Sequence, residues 1–304
     1  MKEFFIPSAG KGNLHCCKWE PDGEVRGVVQ LVHGIAEYTA RYEALAQVLT
    51  NRGYAVVGED HMGHGGSISE DTLRGHFYGG WLNAVDDTYS LLQKTKTEYP
   101  GKPYFLYGHS MGSFIARTIL YRYPDAGLAG ALISGTGWQP GLVLNMGIAL
   151  CGFKAKIHGD TFISMLVGRM MFGGYVKGYE NPRTPLDWLS SDSKVVDAYI
   201  DDPLCGFDST VGLLSSMMKG MRMNQKRKNL AKMPKALPVY FFAGDMDPVG
   251  NNGRGVLRTV RAFERAKMQD VSVKIYPQGR HEMHNEMNKE EVYEDVLNFL
   301  GEHS

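Results

Sequence analysis

Short apolar runs alternate with amphipathic segments along most of the chain. The apolar runs predict strands at residues 28–33, 55–59, 104–107, 130–134, 239–243 and 271–276. Between them, apolar positions at helical spacing predict helices at residues 42–51, 82–99, 113–121, 256–267 and 290–300. Residues 4–8 and 14–19 predict a hairpin with its turn at 9–13. Strands that alternate with helices predict an α/β fold, in which a mostly parallel central sheet carries helices on both faces.

The alternation stops between residues 135 and 238, where the pattern becomes helical and strand-like runs are few. We therefore expect residues 1–135 and 238–304 to form the α/β core and residues 136–237 to form a mainly helical insertion above the sheet. Methionine fills irregular apolar space, so this segment predicts either a lid over an acyl-chain tunnel or the ordinary core of a helical subdomain. The methionines concerned are Met146, Met165, Met170, Met171, Met217, Met218, Met221, Met223 and Met233.

Composition narrows the class of protein. The chain has 304 residues, 43% of them hydrophobic, with a formal net charge of +0, so no global charge favours a nucleic-acid partner. Its four cysteines lack metal-ligand spacing, which predicts reduced thiols and no metal or other cofactor. The first residues lack the apolar core of a signal peptide, and the most apolar stretch, 141–153, is too short to span a bilayer. These features predict a cytoplasmic protein.

The most informative motif is Gly108-His109-Ser110-Met111-Gly112, which lies between a predicted strand and a predicted helix. A serine between glycines at such a junction is typical of a nucleophile elbow, because small neighbours allow the sharp turn that exposes the hydroxyl. The alternative is a glycine-rich turn whose serine caps the next helix. A catalytic serine also requires a base and a carboxylate. Candidates for both elsewhere in the chain would therefore favour the catalytic interpretation over the helix cap.

A candidate carboxylate and a candidate histidine are found on loops after later strands. They follow Ser110 in the order Ser, Asp, His that is typical of the elbow motif. The loop after 239–243 offers Asp245 and Asp247, and we favour Asp247 because it lies farther from the strand end. The loop after 271–276 offers His281 and His284, and we favour His281, directly after the strand-to-loop turn. An oxyanion hole requires two backbone N–H groups. Met111 and Ile35 are the predicted donors, whereas His33 is interpreted as structural.

The chain resembles the monoglyceride lipase and lysophospholipase branch of the α/β-hydrolases. The resemblance rests on residues 32–37, on Arg41-Tyr42, on the Asp-His-Met-Gly-His-Gly-Gly-Ser block at 60–67 and on the elbow at 108–112. Residues 187–190 and 202–207 resemble the insertion of bacterial lysophospholipase-like members. Tyr38 and Ala36 depart from the usual residues of the branch.

The resemblance implies an α/β-hydrolase fold with Ser110, Asp247 and His281 as the catalytic triad. It also implies oxyanion donors at Ile35 and Met111, and a structural loop, not a metal site, at residues 60–67. In the monoglyceride lipases, the positions of Glu37, Arg41 and His284 help to form the polar end of the substrate pocket. The competing interpretations are that Glu37 and Arg41 form a plain i,i+4 ion pair and that His284 is simply exposed.

These features together predict a serine ester hydrolase that cleaves single-chain lipid esters, such as monoacylglycerols or lysophospholipids. A peptidase or acyltransferase on the same scaffold is the alternative, with Asp192, Asp197, Asp201 and Asp202 available to bind a substrate amino terminus. A ligand-binding homologue without catalysis is the third hypothesis. Oligomeric state is not predicted.

A basic run in the late insertion predicts transient contact of the lid with anionic membrane surfaces. It consists of Lys219, Arg222, Lys226, Arg227, Lys228, Lys232 and Lys235.

Overall fold

The computed structural model describes residues 1–304 and contains eight strands that join in one sheet. In chain order they are β1 (Lys2–Pro7), β2 (Asn13–Trp19), β3 (Gly27–Val32), β4 (Tyr54–Glu59), β5 (Tyr104–His109), β6 (Gly130–Ser134), β7 (Val239–Gly244) and β8 (Val271–Tyr276). Across the sheet the order is β1-β2-β4-β3-β5-β6-β7-β8. The β1–β2 and β2–β4 pairs are antiparallel, and all other neighbours are parallel. The mostly parallel sheet is therefore confirmed.

Ten α-helices connect or extend these strands. Five belong to the alternating part of the chain: α1 (Glu43–Thr50), α2 (Trp81–Glu98), α3 (Met111–Arg122), α9 (Arg254–Arg265) and α10 (Lys289–Glu302). The other five lie between β6 and β7: α4 (Gly141–His158), α5 (Met165–Phe172), α6 (Ser193–Asp201), α7 (Val211–Met223) and α8 (Arg227–Leu230). The long connection thus contributes no strand to the sheet.

The central strands are buried on both faces, and each face has its own apolar core. On β3, Val28 and Val32 belong to one core, whereas Val29 and Leu31 belong to the other, as the two-residue period of a strand requires. Helices α2, α3 and α9 pack into the first core, and α1 and α10 pack into the second. The prediction of helices on both faces is confirmed.

The insertion between β6 and β7 consists of an inner part and an outer part. Helix α7 packs directly on α2 and α3, and Leu213, Leu214 and Met217 belong to the same apolar core as β3 and β5. Asn224, which follows α7, donates to the Phe114 carbonyl at 2.8 Å. Helix α7 therefore belongs to the body of the protein, whereas Trp188, Leu189, Tyr199 and Cys205 of the insertion form a small apolar cluster of their own.

The methionines of the insertion follow the same division. Met217, Met218, Met221 and Met233 are buried in the core. Met146, Met165 and Met170 are exposed on α4 and α5. Met165 is the methionine of the insertion that lines the cavity beside Ser110, so the positions of the methionines favour the ordinary-core alternative over a methionine-lined acyl tunnel. These side chains divide instead between ordinary core and exposed surface.

Helix α4 carries the most apolar stretch of the chain and is covered on one side only. Leu144 and Cys151 are buried, and the opposite side exposes Leu142, Met146 and Phe153. No helix in the structure combines the length and the apolar character that crossing a membrane requires.

Candidate active site

Ser110 lies at the junction of β5 and α3 in a strained backbone conformation, with φ 52° and ψ −120°. The glycines explain why this turn can form. A Cβ at Gly112 would lie 1.9 Å from the Val32 carbonyl oxygen, and one at Gly108 would lie 2.7 Å from the Gly112 oxygen. Only glycine allows α3 to start this close to the end of β3. Ser110 is therefore placed above the sheet and lines a cavity between the core and the insertion.

His281 and Asp247 meet although they lie on different loops. The His281 Nδ1 is 3.0 Å from Asp247 Oδ1, and both side chains are buried. The same Asp247 oxygen accepts the Val249 N–H at 2.9 Å, which fixes the carboxylate. Asp245 instead accepts the Gln278 N–H at 2.7 Å and is exposed. Of the two candidate aspartates, Asp247 is the one that contacts His281.

The pKa of His281 is raised above its ordinary value. Burial acts in the opposite direction and lowers the pKa, but the charge and hydrogen bonding of Asp247 outweigh it, with smaller contributions from Glu282 and Glu37. His281 also faces the cavity that Ser110 lines. A protonated imidazole at this position would be stabilised by the Asp247 carboxylate.

The loop after β3 lies against the elbow. A Cβ placed on Gly34 would be 3.1 Å from the Ser110 Cβ, so Gly34 and Ile35 border the reacting hydroxyl. The Gly34 N–H donates to Glu37 Oε1 at 2.6 Å, whereas the Ile35 N–H has no partner within the chain. Met111 is the first residue of α3, where backbone N–H groups lack helical acceptors. The two predicted oxyanion donors thus flank Ser110 from separate elements.

A buried ion cluster forms the polar wall of the cavity. Arg41 binds Glu282 through two parallel hydrogen bonds, each 2.9 Å long, and Glu37 through a third of 2.7 Å. Its guanidinium also lies 4.7 Å from the centre of the Tyr199 ring. Glu37 and Glu282 line the cavity, whereas Arg41 lies behind them. The pair of Glu37 and Arg41 is therefore part of a three-residue cluster that the sequence spacing did not reveal.

His284 lies outside the cavity. Its ring stacks on Tyr42 at 4.5 Å and both of its nitrogens are buried without a partner. Burial lowers the pKa of His284 to about 4, so the ring is neutral at pH 7. His284 is therefore neither exposed nor part of the cavity lining. The short turn at Met283–Asn285 carries its ring behind the cavity wall.

The 60–67 loop is held by hydrogen bonds that explain its motif. Asp60 accepts from the Thr39 N–H at 2.8 Å and from His15 Nδ1 at 2.9 Å.

His15 also belongs, with Glu3 and Cys17, to the one group whose ligand atoms could hold a metal ion. Burial raises the pKa of the Cys17 thiol to about 12, which disfavours the thiolate that a metal requires. This group lies on the β1–β2 hairpin and has no part in the cavity.

The cavity that Ser110 and His281 line has a volume of about 300 Å³ and is bounded by the core below and the insertion above. Ile163, Phe172, Val176, Leu186 and Trp188 supply much of its apolar wall. Of the residues predicted from the sequence, Ser110, His281, Ile35 and Glu37 line it, and Asp247 lies behind His281. Trp188 and Glu282 were not identified from the sequence, because their positions depend on contacts between distant segments.

A strained elbow serine after β5, with a histidine and an aspartate on the loops after β8 and β7, defines an α/β-hydrolase. Comparison with known families agrees: the family described as "Serine aminopeptidase, S33" matches residues 23–288. The chain belongs to this family and is a carboxylic ester hydrolase.

Relatives of known name extend over most of the chain. It is 28% identical over 285 residues to a monoacylglycerol lipase of Mycolicibacterium smegmatis, covering 94% of this chain and 91% of that one. It is 28% identical over 284 residues to the human monoglyceride lipase, covering 90% and 81% respectively. Among solved structures, it resembles a thermostable carboxyl esterase from Bacillus coagulans in complex with glycerol. That match has a TM-score of 0.93 and 29% identity over 99% of this chain and 98% of the esterase.

The ion cluster predicts a pH-dependent loss of stability in Arg41→Met. The substitution leaves Glu37 and Glu282 buried without their cation, which is expected to cost about 3–5 kcal/mol of unfolding free energy at pH 8. The loss should be smaller at pH 5, because protonation relieves two unpaired carboxylates. Denaturant unfolding at both pH values measures this, with exposed Arg52→Met as the control. A loss that is the same at both pH values would contradict the assignment.

Proposed function

We propose that the enzyme hydrolyses monoacylglycerols through an acyl-enzyme formed on Ser110. The observation that carries the proposal is the contact of His281 with Asp247 at 3.0 Å, with Ser110 and His281 lining one cavity. A cavity of about 300 Å³ is at the lower end of the range for small-molecule sites, which favours a single acyl chain. The named relatives and the glycerol complex of the similar esterase support the same substrate class.

The proposed reaction has two halves. His281 takes the proton of Ser110 as the oxygen attacks the ester carbonyl, and the N–H groups of Ile35 and Met111 stabilise the oxyanion. The protonated imidazole, stabilised by Asp247, then gives its proton to the glycerol oxygen as the ester bond breaks. In the second half, His281 takes a proton from water as the water oxygen attacks the acyl-enzyme carbonyl. The protonated imidazole then returns this proton to the Ser110 oxygen as the acyl bond breaks, which releases the fatty acid and restores the free serine.

Variants of the triad test this mechanism. Ser110→Ala and Asp247→Asn should each lower kcat for monoacylglycerol hydrolysis by about 10⁴-fold or more. In the parent, kcat/KM should fall as the pH drops through a pKa above 6.5, since the raised pKa of His281 means that the base becomes protonated there. Asp247→Asn should move this acid limb of the kcat/KM profile to lower pH, because the substitution removes the negative charge beside His281. Asp245→Asn is the matched control, and its activity should stay near that of the parent. Full activity of Ser110→Ala would refute the mechanism.

Charge at the cavity wall favours a neutral leaving group. Glu37 and Glu282 face the cavity, and the Arg41 between them already uses both terminal nitrogens on these carboxylates. Burial raises the pKa of Glu37, whereas Arg41 holds the pKa of Glu282 low. An anionic phosphate would meet at least one carboxylate there. The observation that favours lysophospholipids instead is Arg169, which lines the outer part of the cavity from α5.

The headgroup preference can be measured directly. Against a lysophospholipid with the same acyl chain, the monoacylglycerol should have a kcat/KM higher by about tenfold or more, because each 1.4 kcal/mol of unfavourable binding costs a factor of ten. Arg169→Met should leave this ratio within about twofold. A preference for the lysophospholipid that Arg169→Met abolishes would contradict the proposal and identify Arg169 as its anchor.

A peptidase function has less support from the structure. The lid carboxylates that could hold an amino terminus are used elsewhere: Asp192 caps α6, Asp197 pairs with Arg183, and Asp202 accepts the Tyr38 hydroxyl. None of the four predicted aspartates lines the cavity, and Asp208 is the one aspartate that does. Aminoacyl nitroanilides, offered beside nitrophenyl esters, separate the two activities.

We also propose that the outer part of the insertion contacts lipid surfaces. Nine of the sixteen exposed large apolar side chains of the protein lie between residues 142 and 170, on α4, on α5 and on the link between them. Ile163 and Met165 are both exposed and part of the cavity lining, so the apolar surface continues into the site. Such a face fits an acyl layer because it removes apolar area from water.

Vesicle binding tests this surface. Replacing Met146 and Phe153 together by serine should weaken binding to phosphatidylcholine vesicles by about a hundredfold or more, since each buried apolar side chain is worth roughly 1.5–3 kcal/mol and each 1.4 kcal/mol is a factor of ten. Leu257→Ser, an exposed change on α9, is the control. Neutralising Lys226, Arg227 and Lys228 should weaken binding only when phosphatidylglycerol is added. Unchanged binding of the Met146 and Phe153 double variant would contradict the proposed surface.

A further inference from the structure

The segment 187–191 of the insertion is joined to the loop that carries His281 by a dense set of hydrogen bonds. The His281 N–H donates to the Trp188 carbonyl at 3.2 Å, and the next N–H, that of Glu282, donates to the Leu189 carbonyl at 2.7 Å. The Trp188 ring also lies 4.9 Å from the imidazole of His281. The main chain of the proposed base is thus held by the insertion, whereas its ring is held by Asp247.

Arg280 provides the side-chain part of this connection. Its Nη1 donates to the carbonyls of Asp187 and Ser190, the second at 3.0 Å. The guanidinium lies 4.7 Å from the centre of the Tyr179 ring. The Tyr179 hydroxyl donates to the Met246 carbonyl at 2.6 Å, one residue before Asp247. Arg280 therefore joins the insertion to both loops that carry the His281–Asp247 pair.

Glu286 closes the connection from the other side. Its carboxylate accepts the Arg280 N–H at 2.9 Å, the Ser191 N–H at 3.0 Å and the Ser191 hydroxyl. Ser190 adds a bond from its hydroxyl to the Asn285 carbonyl at 3.0 Å. With the Met287 N–H at 3.1 Å, this buried carboxylate has four donors, and it is a rigid anchor because any displacement leaves its oxygens unpaired. Segment 187–191 and loop 280–286 are therefore tied together by hydrogen bonds from both sides.

We propose that Arg280, with Tyr179, is a positioning residue that aligns His281 with Asp247 by clamping the 187–191 segment of the insertion. This inference rests on the proposed function, because it assigns His281 the role of base. This inference assigns different roles to two parts of the insertion. Residues 187–191 complete the catalytic core, whereas α4 and α5 are the part that can open for substrate. An insertion that lifted as one rigid lid would pull His281 out of place.

The test compares Arg280→Met with the parent, and Arg261→Met, exposed on α9, is the control. Active sites are first counted by fluorophosphonate labelling, and kcat and KM per labelled site are then measured across pH with a nitrophenyl ester. Arg280→Met should lower kcat per site by about tenfold or more with KM changed by less than about threefold, because misaligned reacting groups slow the chemical step.

The pH profile separates positioning from a general loss of structure. If His281 moves away from Asp247, burial dominates its pKa, so the acid limb of kcat/KM should shift to lower pH. Partial unfolding would instead reduce the number of labelled sites without moving the limb. The charged and titratable groups that face His281 are unchanged by the substitution: Asp247, Glu282, Glu37, His109 and His284.

Two further variants keep the inference testable if Arg280→Met does not fold. Arg280→Lys retains a donor for the two carbonyls and should recover part of the lost kcat. Tyr179→Phe removes only the bond to the Met246 carbonyl and should shift the limb in the same direction by a smaller amount. An unshifted limb with kcat per site within about twofold of the parent, in Arg280→Met or in Tyr179→Phe, would overturn the inference. A parent that is not labelled at all would instead refute the proposed function.

Discussion

The structure depends first on the close crossing of α3 over the end of β3. The start of the helix lies so near the strand that position 112 has no room for a side chain beside the Val32 carbonyl. This crossing forces Ser110 into its strained conformation and brings it against Gly34. The serine, the loop after β3 and the first N–H groups of α3 therefore meet at one point, which is the arrangement that stabilisation of an oxyanion requires.

The insertion has more than one physical role. Helix α7 completes the core on one face of the sheet, segment 187–191 holds the loop of His281, and α4 and α5 present apolar side chains to solvent. These parts differ in the number of bonds that fix them to the core. The exposed residues of α4 and α5 continue into the cavity, and for this reason we propose these two helices, and not the whole insertion, as the lid.

The strands, the helices and the order of the candidate triad residues could be predicted because they depend on local patterns and on the direction of parallel strands. The apolar runs at 239–243 and 271–276 are enough to place Asp247 and His281 on loops that follow strands. The cluster of Glu37, Arg41 and Glu282 could not be predicted, since Arg41 and Glu282 lie 241 positions apart. The hydrogen bonds of Arg280 could not be predicted either, because their acceptors are backbone carbonyls, which leave no signature in the amino-acid types.

The account stands on Ser110 as the nucleophile activated by His281, and the site of covalent reaction tests this most directly. The protein is treated with a fluorophosphonate at several pH values, digested and analysed by mass spectrometry. One adduct per chain is predicted, on the peptide that contains Ser110, and its rate of formation should fall as His281 becomes protonated. An adduct on another residue, or an unmodified Ser110 in protein that has lost its esterase activity to the reagent, would contradict the account.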